Sequence, residues 1–100
     1  MKYFNREVLL REINTIGMST FVKYYQYFKN LTYSRQEIIR IMRNNEVYKE
    51  SSINTKVSMG IKIFKQKKDE AVLNIIVDAK NVDEATRNQA KKLLSKVSSP

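Results

Sequence analysis

The 100-residue chain has no cysteine and no histidine, and only two glycines and one proline. Without cysteine there are no disulfides, thiolate metal sites or cysteine nucleophiles. Without histidine the chain lacks both the commonest general base and the commonest metal ligand. With only Gly17 and Gly60 it cannot build a glycine-rich phosphate loop. The carboxylates are scattered. Their closest sets, Asp69-Glu70 and Asp83-Glu84, read as helix starts rather than ligand clusters. A non-enzymatic protein with no metal and no cofactor is therefore expected. Long apolar runs are missing as well. The start, MKYFNREVLLREIN, breaks its longest run, Val8-Leu9-Leu10, with Arg11. That is not a secretion signal, and nothing approaches the ~20 residues that span a bilayer. The expectation is a cytoplasmic protein with no membrane contact.

The chain does have positive charge, unevenly placed. There are 19 basic and 10 acidic residues, a net charge of +9. Between Arg35 and Lys68 nine basic residues face only Glu37, Glu46 and Glu50, so +6 of the +9 falls in 34 positions. Its densest part, INTKVSMGIKIFKQKK from Ile53 to Lys68, has five lysines and no acid. A clustered positive field attracts phosphates and displaces their counterions. Apolar residues make up 42% and charged residues 29%, which is ordinary globular usage. The length suits one domain, here 1–97 with a polar tail at 98–100.

Helical spacing recurs along the chain. Asn5 caps a helix near 6–15, with Val8, Leu9, Glu12, Ile13 and Ile16 on one stripe and Gly17 as its stop. A second helix runs from Ser19 or Thr20 to about Asn30. Its Phe21, Tyr25 and Phe28 form an inner face, and Tyr24, Tyr27 and Leu31 form an adjacent stripe. Ser34 and Glu37 form a capping box before RQEIIRIMRNN, which buries Ile38, Ile39, Ile41 and Met42 and leaves Arg35, Arg40 and Arg43 wet. The last helix starts at Asp83-Glu84 and has Lys91, Lys92 and Lys96 toward its negative end, the order a helix dipole favours.

Two segments fit both periods. As a helix, 53–65 puts Ile53, Val57, Ile61 and Phe64 on one face. As a strand it alternates Ile53, Thr55, Val57, Met59, Ile61 and Ile63 with smaller or charged residues. Residues 71–79 pose the same choice. Two helices make the protein all-α, a compact bundle of five to six short helices with a helix-turn-helix-like pair. Two strands make it α+β and winged-helix-like, with a hairpin at 53–65/71–79.

The order helix, short connection, basic helix is that of a helix-turn-helix, whose second helix meets DNA by its first turn. Here that turn offers Ser51, Ser52, Asn54, Thr55, Lys56 and Ser58. Lys62, Lys65, Lys67 and Lys68 follow along the backbone, and Arg40 and Arg43 extend the face from the preceding helix. These side chains suit phosphate and base-edge hydrogen bonds. The leading expectation is a nucleic-acid-binding module, a small DNA-binding regulator using the basic face at 49–68. The alternative is a protein-interaction module, a subunit or inhibitor docking on an acidic partner through Tyr24 and Tyr27 of the aromatic helix 20–31 and through the basic face. Seven of the nine residues 71–79 are apolar, which requires a central position or a homodimer seam.

Overall fold

Asn5 opens the first helix as its spacing requires. Its Oδ1 accepts from the backbone N–H groups of Glu7 (2.9 Å) and Val8 (3.3 Å), satisfying two donors that the helix cannot. The structure, a computed structural model, describes residues 4–30 and 32–98. Helix α1 is Arg6–Ile16, and it ends at Gly17, whose φ of 94° no other residue type adopts cheaply. The other helices are α2 (Met18–Lys23), α3 (Tyr25–Lys29), α4 (Arg35–Asn45), α5 (Glu50–Lys65), α6 (Asp69–Asp78) and α7 (Glu84–Ser98). Ser34 and Glu37 make both bonds of the capping box, at 3.1 and 2.9 Å. Asp83 holds the backbone N–H and hydroxyl of Thr86, at 3.1 and 2.7 Å.

The described residues contain seven helices against the five to six expected, and the expected second helix is divided at Tyr24. Tyr24 and Tyr25 are both buried. Tyr24 has φ −104° and ψ 14°, outside the helical values of its neighbours. Leu31, expected beside Tyr24 and Tyr27, lies outside the described residues. So do the tail residues Ser99 and Pro100, while Ser98 closes α7.

The strand alternative is overturned, since 53–65 lies within α5 and most of 71–79 within α6, and the described residues contain no strand. Long-range packing decides this. Gly60, which argues against a helix on propensity, lies in α5 where the Phe28 ring rests against its backbone. Phe28 belongs to an aromatic cluster with Phe21, Tyr25 and Phe64, whose successive ring centroids are 5.0–6.2 Å apart. The stretch expected to be a hairpin tip is a helix stop. Lys67 takes a left-handed φ of 56°, the N–H of Lys68 donates to Ile63 O (2.9 Å), and that of Lys67 donates to Phe64 O (3.1 Å). This is the Schellman pattern. α6 packs on α1 and α7 and buries Val72, Leu73, Ile75 and Ile76, so its apolar circumference is used within the chain. α5 is covered by α1, α3 and α4.

Candidate nucleic-acid interface

The 3.6-residue turn sorts the lysine run into two sets. Ile53, Val57, Gly60 and Ile63 face the core, while Ser51, Thr55, Ser58, Lys62 and Lys65 form an exposed stripe on the other side. Lys56 and Lys68 belong to neither. Lys56 turns inward, donates from Nζ to Ile16 O at the end of α1 (2.7 Å), and lies 4.8 Å from the centre of the Tyr48 ring. Lys68 pairs with Glu12 at 3.1 Å, with its side chain 15% exposed against 8% for Glu12. Lys62 also reaches Glu12, at 3.4 Å, but stays half exposed. Three of the five lysines thus fasten α5 and the α5–α6 corner to α1. Lys56 and Lys68 are corrected from an outward basic face to interior latches, because each finds an acceptor on α1 that a bare positive run does not reveal.

α4 lies alongside α5, held at two levels. Arg43 pairs with Glu50, and Arg35 donates from Nε to Ser58 Oγ (2.9 Å) and from a terminal nitrogen to Asn54 Oδ1 (3.2 Å). Eight residues separate the two pins on each helix, so the pair runs antiparallel. A groove of about 350 Å³ lies between them, lined by Arg35, Asn54, Thr55, Ser58, Met59 and Lys62. Across Met59 and Lys62 it meets a hollow of about 260 Å³ against Val8, Arg11, Glu12 and Thr15 of α1. Glu12, the one acid lining this surface, is recessed and faces two lysines. The hydrogen bond from Arg43 holds the Glu50 carboxyl below its ordinary pKa, and the same bond raises that of the guanidinium.

Of the residues expected to bind, Asn54, Thr55 and Lys62 meet in this groove. Ser51, Lys65 and Lys67 are exposed beyond it, Ser52 is half-buried, Arg40 is exposed on α4, and Arg43 is engaged with Glu50. Sequence reading missed Arg35 and Arg11 as members of the groove. Arg35 lies 23 positions from Ser58, and no local spacing signals that approach.

Tyr24 is inside. Its hydroxyl donates to Glu46 Oε2 (2.7 Å), which also receives Lys23 (2.6 Å). Burial first, and then this carboxylate, push the phenol pKa upward, while the hydrogen bonds from Lys23 and then Tyr24 lower that of Glu46. Tyr24 therefore offers no ring face to a partner, which corrects the docking role expected of it. Tyr27 is half-buried, 5.2 Å from Tyr33 and edge-on at 68°. The two open into a hollow of about 650 Å³ with Gln26, Lys29, Asn30 and Thr32.

Among the described residues no group of three His, Cys, Asp or Glu could hold a metal ion, and no helix is long and apolar enough to cross a membrane. No protein-family model, curated protein or solved structure matches the chain.

Proposed function

We propose that the chain is a non-enzymatic nucleic-acid-binding module that meets the phosphate backbone along the α4–α5 groove. The observation that carries this reading is the groove's composition. Arg35, Lys62 and the neighbouring Arg11 supply cations, Ser58 supplies a hydroxyl, and the one lining acid is recessed behind lysines. Guanidinium and hydroxyl groups set along a helix flank are what phosphate oxygens accept from. The reading includes a small DNA-binding regulator. Because α5 is covered on three sides, the contact would run along its flank rather than through its first turn.

Fluorescence anisotropy with a labelled oligonucleotide at low and moderate salt tests this. Affinity should fall steeply with salt. The double variant R11Q/R35Q should weaken binding about tenfold or more and lower the salt slope by roughly 2. Absence of binding at low salt overturns the proposal.

A second reading, docking on an acidic protein, draws on the open Tyr27–Tyr33 hollow beside this charge. It predicts that Tyr27→Ala abolishes a protein contact in a pull-down while duplex binding survives.

A further inference from the structure

The basic groove and the tyrosine hollow meet at the start of α4. Tyr33 lines the hollow, Ser34 caps the helix, and Arg35 lines the groove. Two residues of chain span at most about 7 Å, so the backbones that carry the aromatic and the cationic lining lie close together at this point. Tyr27 and Tyr33 are each half-buried and packed against the core on one side, and among the described residues neither hydroxyl has a hydrogen-bond partner. Their rings are therefore held in place while part of each stays open. The neighbouring Gln26 is exposed and its amide is unengaged among the described residues.

We infer that these two neighbouring surfaces together select single-stranded nucleic acid over duplex, with phosphates along Arg35 and Lys62 and an unpaired base stacked on Tyr27 or Tyr33. The inference rests on the nucleic-acid reading above and adds the strand state of the ligand. The physical reason is simple. Every base has a flat π-face, but in a duplex both faces are covered by neighbouring bases, so only a single strand can use a tyrosine platform. A phosphate-only site would not distinguish the two forms in this way. The pairing of cationic groove and adjoining rings is the arrangement that single-strand binders combine.

The test compares one labelled oligodeoxynucleotide of about a dozen nucleotides, within the span of single-strand sites, with its own duplex at low salt, using the full chain. The single strand should bind about tenfold tighter or better. Tyr27→Leu and Tyr33→Leu keep apolar bulk and remove the flat face. Each should weaken single-strand binding several-fold and leave duplex binding unchanged, with thermal melts confirming the fold. The chain has no tryptophan, so its tyrosine emission can be followed directly. Emission should be quenched by the single strand, and less so in Tyr27→Phe/Tyr33→Phe, which keeps stacking but removes the two tyrosine emitters. Equal affinity for both forms, or equal losses on both in the leucine variants, overturns the inference while leaving the nucleic-acid reading standing. Failure of both forms to bind overturns both. The wild-type comparison needs no variant, so a destabilised mutant does not decide the matter.

Discussion

The ring of Phe28 occupies the space where a Cβ on residue 60 would stand, with three of its carbons 2.7–2.8 Å from that point. Phe28 is 2% exposed and sits within the aromatic cluster, so it cannot swing away cheaply. Two effects oppose each other in Gly60→Ala. Helix propensity favours alanine by up to about 1 kcal/mol, and overpacking costs about 1–3 kcal/mol. The clash should win, with a net loss of roughly 1 kcal/mol in urea unfolding. In a Phe28→Leu background the ring is gone, and the same substitution should become neutral or stabilising. An equal loss in both backgrounds would show that the ring is not the cause.

Lys67 holds the left-handed position of the α5 Schellman motif, where glycine is the usual residue. A side chain there costs about 1–2 kcal/mol, and glycine gives part of that back through its greater unfolded-state entropy. Lys67→Gly should therefore raise stability by about 0.5–1 kcal/mol. Lys67 lies outside the groove, so oligonucleotide affinity should change little. A lower midpoint in chemical denaturation would contradict this account of the helix stop.

Glu12 connects α1 to both Lys62 and Lys68. Glu12→Gln removes the negative charge and leaves Lys68 largely buried without a counter-ion. A loss of about 1–3 kcal/mol is expected, less than for a fully buried pair because Lys62 stays in water. The double variant Glu12→Leu/Lys68→Met should cost less than the two single changes added together. Strict additivity in a thermal or urea series would mean that the pair is not coupled.

Stability should fall at both ends of the pH scale. Hydrogen bonds hold the carboxyls of Glu37, Glu46, Glu50 and Asp83 below their ordinary pKa values. Stabilisation of this sign is complete above the unfolded values, about 4, and disappears as pH falls through the lower folded ones. At the alkaline end, burial and then the charge of Asp69 push the Tyr25 hydroxyl up to about 12. A raised phenol pKa stabilises below the unfolded value, about 10, and that contribution is lost as pH climbs toward the folded value. Melting temperatures across pH should show both declines. Glu46→Gln should flatten the acid decline, and Tyr25→Phe the alkaline one. A profile unchanged by either substitution would rule out these groups as its source.

The local grammar of the chain was legible. Asn5, Gly17, the Ser34–Glu37 box and Asp83 stop or start helices as their side chains and backbone freedom require. The inner residues Ile38, Ile39 and Met42 follow from spacing alone, although Ile41 is only half-buried. Whatever depends on distant partners was not legible. Gly60 argues for a strand until Phe28 is placed against it. Lys56 reads as surface charge until Ile16, 40 residues earlier, supplies a carbonyl. The groove shares that property, since Arg35, Ser58 and Arg11 come together only through packing.

The four-residue link between α4 and α5 reads as slack, but it is fastened on both sides of the fully exposed Val47. Glu46 takes Lys23 and Tyr24, while Tyr48 shares a hydrogen bond with Thr20 (3.1 Å) and lies against Lys56. All the anchors except Lys56 are on or beside α2. The link is therefore a clasp, and the groove it closes exists before any ligand arrives. A bound strand would spend little of its interaction energy on ordering the protein. Association should proceed as a docking event on a finished surface, with a small heat-capacity change, rather than as coupled folding.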